Sequence, residues 1–286
     1  MKPSAIDLHM HSTASDGTDD PKTLMEQVRR SGIRIFSLTD HDSDAGAELL
    51  RTADTAGLTF LPGIELSSHT GELLFHILGY GYARGNADLE RAIGHVASLR
   101  RKKTEYRIDL LRKNRGIDLT KEETDWIFSQ ESPGRPHIAE VLIRRGLAGS
   151  TTDAFHRYLS SELLPVPPEL SRIEASEAVR SIRSAGGIPC WAHPLGGEGE
   201  PHLSSSEFET RLKTLLPLGI RALECYYSRY TEEEIRFLCD AAEKHGLLIS
   251  GGSDYHGKKK NIPLGMLNCD GTPVPPEKLT ILSELL

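Results

Sequence analysis

"IDLHMHSTASDG", residues 6–17, sets two histidines and an aspartate directly behind a short apolar run. With the residues before it, the run reads as a strand. Residues i and i+2 of a strand share a face, so His9 and His11 aim at one point from its end. "PKTLMEQVRRSG" follows as a helix, with Pro21 in its first turn and Gly32 at its stop. "IRIFSLTDHD" is a second strand, again ending in polar residues, Asp40 and His41, and "DAGAELLRTADTAG" is a second helix. "LTFLPGIELSS" and "ELLFHILGY" are further strands. Strand and helix in alternation predict parallel βα units.

The alternation stops near Tyr82. Residues 86–164 carry almost only helical signals, from "ADLERAIGHVASLRRKKTEYRIDLLRKN" to "TTDAFHRYLS", and the proline-rich "LLPVPPELS" leads back. Alternation resumes, with "GIPCWAHP", "IRALECYY" and "LLISGGSDYH" as strands. The expected organisation is a discontinuous α/β domain, 1–85 with 165–286, and a small helical insert or cap at 86–164. About seven βα units would suit either an open sheet or a barrel. A barrel fits better, because polar residues stand at nearly every strand end and a barrel gathers such ends in one mouth.

A formal net charge of -7 argues against a general nucleic-acid or membrane-surface coat. No apolar run approaches the ~18 residues of a membrane span. The first residues lack the basic-then-apolar layout of a secretory signal. The four cysteines are scattered, without a C-x-x-C, and read as reduced thiols of a cytoplasmic protein.

The strand-end residues decide the chemistry. They are His9 and His11, with Asp16 in the next loop, then His41, Glu65, His76, His193, Asp254 and His256. Imidazole and carboxylate are the ligand set of zinc, manganese and iron(II). A lone strand histidine is usually a hydrogen-bonded core residue, and H-x-H alone is a modest signal. Repetition carries the reading, since burying so many titratable groups together without a cation is prohibitively costly. These residues are too many for one ion and suit two or three divalent ions.

As a set, "DLHMHSTASDG", "SLTDHD", "GIELSS", "FHILGY", "AHP" and "GSDYH" resemble the motifs of the PHP (polymerase and histidinol phosphatase) superfamily, over nearly the whole chain. The insert, with "GRPHIA" and "AFHRYL", is similar to the TrpH-like branch of small phosphoesterases. The resemblance implies a distorted seven-stranded (β/α) barrel and a trinuclear centre of manganese, iron or zinc. It implies that His9, His11 and Asp254 hold one metal. Glu65 would bridge to a second, held also by His76 and His193, and Asp16, His41 and His256 would hold a third. Glu65, His193 and Asp254 would then stand at the reacting centre, with Asp40 orienting a ligand histidine.

The insert is the candidate for substrate recognition. Residues 100–115, "RRKKTEYRIDLLRKNR", carry eight basic side chains against two acidic ones and read mainly as a solvated helix face. Arg135 and His137 stand at a helix start, where amide donors already favour anions. The branch resemblance implies that they contact substrate phosphate, with Arg101 as a further contact. After "AFHRYL" the branch continues with a glycine- and lysine-containing segment, whereas this chain reads "SSELLPVPPELS". That departure bears on the substrate more than on the chemistry.

The expected activity is hydrolysis of a small phosphate ester by a metal-activated water, with no protein nucleophile. No G-x-S-x-G, P-loop or Cys–His pair competes with it. The branch points to a nucleoside 3',5'-bisphosphate or the 5' end of a short RNA, without duplex binding. The alternatives are a histidinol-phosphate or sugar-phosphate monoesterase, and a metal-dependent amidohydrolase, whose carbamylated lysine no strand end supplies. "GGEGEPH", residues 196–202, reads as a flexible acidic loop with His202 exposed, and His69, His95, His156 and His245 as surface or packing histidines.

Overall fold

The computed structural model describes residues 3–55, 57–130, 133–160, 162–197 and 200–286. Elements follow in the order β1 Ile6–Asp7, α1 Pro21–Ser31, β2 Ile35–Leu38, α2 Ala45–Arg51, β3 Thr59–Thr70, β4 Leu73–Tyr80, α3 Ala87–Arg115, α4 Lys121–Phe128, α5 Arg135–Arg144 and α6 Thr151–Ala154. They continue with β5 Ile173–Glu174, α7 Ala175–Ser184, β6 Ile188–Trp191, α8 Ser205–Leu215, β7 Ala222–Tyr227, α9 Glu232–His245, β8 Leu248–Gly252 and α10 Leu282–Leu285. The chain divides into two compact units, residues 1–93 with 174–286, and residues 94–173.

In the first unit seven strands neighbour one another in the order β1-β2-β3-β4-β6-β7-β8. The sheet curls into a nearly closed barrel. Its seam is carried by Leu8 N donating to Gly251 O at 3.2 Å, Asp254 N to His9 O at 2.9 Å and His11 N to Tyr255 O at 2.8 Å. One expectation is corrected. β4 is not part of a parallel βα unit, for it runs antiparallel to both β3 and β6. Only Gly71 and Glu72 join β3 to β4. A parallel crossover needs a dozen residues or more, so this connection permits only a hairpin, with Gly71 at φ 56 in the turn.

Helix ends follow their sequence signals. Asp20 caps α1 by accepting from Lys22 N and Thr23 N, and Gly32 closes it in the left-handed region. Thr231 and Glu234 form a capping box on α9, as Ser204 and Glu207 do on α8. The buried face of α1, with Leu24, Met25 and Val28, packs with Phe36 and Leu38 of β2 and with Met10. A second core joins Ile6 and Leu8 to Leu78, Tyr80, Cys190 and Ala222 of the neighbouring strands. In residues 94–173, Leu111, Ile127, Ile138, Val141, Leu142 and Leu159 form a separate core. No helix among the described residues is long and apolar enough to cross a membrane.

Candidate metal centre

Glu65 is fully buried on β3 and gathers the histidines. Its Oε2 lies 3.2 Å from His9 Nε2, 3.2 Å from His11 Nε2 and 3.1 Å from His41 Nδ1. Its Oε1 lies 3.2 Å from His76 Nδ1 and 3.3 Å from His193 Nε2. The hairpin explains part of this. His76 pairs with Ser67, two residues beyond Glu65, so both side chains stand on one face. Asp254 and His256 enter from the segment after β8. Asp254 Oδ1 is 3.2 Å from His11 Nε2 and 3.3 Å from His256 Nδ1, and His256 Nε2 is 3.3 Å from Asp16 Oδ1. The nine strand-end residues thus stand together around one mouth.

Four overlapping groups of ligand atoms are close enough to share an ion. They are His9, His11 and Asp254; His11, Asp16, His41 and His256; His41, Glu65 and His76; and His76, His193 and Glu200. Glu200 is an addition to the expected set. It comes from the "GGEGEPH" loop, of which Glu198 and Gly199 lie outside the described residues. Its Oε2 is 3.1 Å from His193 Nδ1 and accepts from Gly197 N. His202 of the same loop is exposed and pairs with Glu234.

The electrostatics suit cations. Burial alone would lower the His11 pKa, yet Asp254 and Glu65 raise it to about 9. Burial opposes His193 in the same way, and Glu200 and Glu65 raise it to about 10. Burial would raise Glu65, but His41, His9 and His76 hold it well below the usual carboxylate range. Among the described residues His11 Nδ1 and His41 Nδ1 are buried without a hydrogen-bond partner, His41 Nδ1 meeting Glu65 Oε2 only as an ionic contact. Buried carboxylates that demand positive charge, beside imidazole nitrogens lacking hydrogen-bond partners, make a donor set that fits divalent metals.

Behind these residues lies a layer of hydrogen bonds. Asp254 Oδ2 accepts from Tyr227 OH at 2.9 Å and Lys260 Nζ at 2.7 Å. Among the described residues Asp40 makes no side-chain contact with a histidine, which corrects the expectation. It accepts from Ser12 N, Ser12 Oγ and Ser15 Oγ and so shapes the loop carrying Asp16. Those hydroxyls are thereby occupied as donors, and burial pushes the Cys190 thiol well up, so none of the three is an activated nucleophile. A cavity of about 180 Å³ opens onto the cluster, bounded by Asp16, His41, His76, His193, Glu200, Asp254, His256 and the cation Lys260.

The expected substrate contacts all lie in the second unit. Arg101 is exposed, stacks over Phe128 at 4.4 Å and donates to the Phe128 carbonyl. His137 Nδ1 accepts from Gly134 N at the start of α5. Arg135 donates to Leu159 O and lies over the Phe155 ring. Arg107, read as part of a solvated face, is instead 8% exposed, and its Nε has no hydrogen-bond partner among the described residues. Burial and the nearby Arg135 push its guanidinium down to about 10. Its burial is something that the basic composition of the helix does not signal.

Known proteins show the same architecture. The PHP domain family model matches residues 7–128. The phosphoribosyl 1,2-cyclic phosphate 1,2-diphosphodiesterase of Eggerthella lenta is 27% identical over 90% of this chain and 96% of its own. The 3',5'-nucleoside bisphosphate phosphatase of Chromobacterium violaceum is 27% identical over 88% and 87%. A 5'-3' exoribonuclease of Haemophilus influenzae is 28% identical over 87% and 89%. A crystal structure from Bifidobacterium adolescentis, described as a metal-dependent phosphoesterase, superposes with a TM-score of 0.71 at 28% identity, over 94% of this chain and 95% of that one. With its histidine-lined barrel mouth, a PHP domain match over residues 7–128 and likeness to these proteins along nearly the whole chain, the protein resembles the PHP phosphoesterases.

Proposed function

We propose that this protein is a metal-dependent phosphoesterase that hydrolyses a phosphate ester of a small nucleotide, a nucleoside 3',5'-bisphosphate or the 5' end of a short RNA. The observation that carries the reading is the convergence on Glu65 of five histidines from four strand ends, in a chain whose relatives hydrolyse ribose-phosphate esters. His9, His11 and Asp254 would hold one ion, and Asp16, His41 and His256 another. His76 and His193, with Glu65 and Glu200 beside them, would hold a third; manganese, iron and zinc all suit these donors. When bound, such ions supply Lewis acidity toward phosphoryl oxygens and lower the pKa of a water.

The chain's own residues do the rest. Glu65 spans the groups and sets their spacing. Lys260 faces the cavity, where it offsets phosphoryl charge. The narrow cavity takes a phosphoryl group and leaves the remainder of the substrate outside it. In the helical insert, Arg107 is buried near Arg135, and guanidinium groups suit bidentate binding of phosphate. The cytoplasmic setting we assign rests on the cysteines, kept as free thiols. Phosphate release from a panel tests the reading: adenosine 3',5'-bisphosphate, AMP, a 5'-phosphorylated RNA trimer, histidinol phosphate and an aryl phosphate. Preference for the bisphosphate or the RNA is expected. Preference for histidinol phosphate would overturn the substrate class.

A further inference from the structure

Among the described residues Glu224 on β7 belongs to none of the groups that share ligand atoms, yet it is fully buried directly behind them. Its Oε1 is 2.8 Å from His9 Nδ1. Its Oε2 accepts the backbone N–H of His193 at 2.8 Å. With a metal on Nε2, the remaining ring proton of His9 stands on Nδ1, where Glu224 Oε1 is placed to accept it. That leaves the Nε2 lone pair turned toward Glu65 Oε2 and Asp254 Oδ1, at 3.2 and 3.6 Å. The second contact acts on backbone. His193 has φ 30, in the left-handed region that a histidine rarely adopts, and Glu224 holds its amide there. One side chain therefore fixes the ring of one strand-end histidine and the main chain of another.

The strand is built for this. The β7–β8 register shifts between Glu224 and Tyr226, a bulge at Cys225. In a regular strand, residues 224 and 227 would face opposite ways. The extra residue turns both Glu224 and Tyr227 to the cluster, where Tyr227 binds Asp254.

We propose that Glu224 is a positioning residue that sets the tautomer of His9 and the backbone pose of His193, and through them the metal affinity of the centre. The inference rests on the metal reading above. Glu224→Gln tests it, because an amide offers one acceptor where two donors converge. The measurement is Mn2+ titration of the chelator-stripped protein, followed by the EPR signal of free Mn2+. Loss of an outer hydrogen-bonding partner predicts affinity lower by about 10- to 100-fold. Equal affinity in wild type and variant would overturn the role of Glu224 alone, whereas no uptake by the wild type would overturn the metal reading and this inference with it. Should the variant not fold, 15N NMR of the Zn2+-loaded wild type decides. A protonated His9 Nδ1 with Nε2 on the metal is expected, and the reverse tautomer refutes the proposal.

Discussion

Gly252→Ala isolates how closely the barrel seam is packed around the centre. Gly252 ends β8, and its φ is not in the left-handed region, so alanine has no backbone objection there. The objection is space. A Cβ at this position would lie 2.2 Å from His9 Cβ, 2.5 Å from His9 N and 2.8 Å from His9 Cα. Carbon atoms in contact sit about 3.5–4.0 Å apart, so β1 or β8 must retreat by more than ~1 Å. Two of these neighbours are main chain and the third is the Cβ bonded directly to it, so none can swing aside. Overpacking of this kind costs roughly 3 kcal/mol or more, which lowers Tm by about 6–12 °C in a chain of this size. The displaced residue is His9 itself, and a misplacement of ~1 Å costs on the order of 100-fold in turnover. Urea unfolding in chelator gives the stability term and phosphate release gives the functional one. Gly94→Ala is the control. It lies in α3 with nothing within 4 Å of the added carbon, and helix propensity predicts stabilisation of about 0.5–1 kcal/mol. If Gly252→Ala matched wild type in midpoint and turnover, the steric account of the seam would be wrong.

Other substitutions separate metal from substrate. His11→Ala should lose Mn2+ and turnover together, since His11 lies against both Glu65 and Asp254; full turnover with less bound metal would contradict its placement. Arg135→Ala should cut kcat/KM by roughly 10-fold or more, at the scale of a lost charge-assisted hydrogen bond, with metal content unchanged. Unchanged kinetics would remove Arg135 from substrate recognition.

Much of the barrel and its mouth is legible in the chain, because strand ends repeat the same residue types and period-2 geometry gives their direction. His9 and His11 need only the i, i+2 rule, and Gly134-Arg135-Pro136 announces the start of α5. What escapes has physical causes. The antiparallel β4 is betrayed only by a two-residue connection, easily passed over beside a strong strand pattern. Glu224 is hidden by the bulge at Cys225, since a bulge breaks the alternation on which facing is judged. Glu200 sits in a loop with no period at all, and its approach to His193 is a tertiary event. Asp40 is expected to orient a ligand histidine, but it lies past the end of β2 and accepts from the 12–15 loop instead, a tertiary contact that sequence pattern does not announce. Arg107 shows the limit of composition, for a basic run reads as solvated until packing buries one member.

The central claim is that the histidine cluster holds the metals that hydrolyse a phosphate ester. Its most direct test is phosphate release from adenosine 3',5'-bisphosphate by one preparation in three states: as purified, stripped by chelator, and reloaded with Mn2+, with bound metal counted at each step. Release that vanishes on stripping and returns with two or three ions per chain is the predicted result. Release that persists in the stripped protein would contradict the claim.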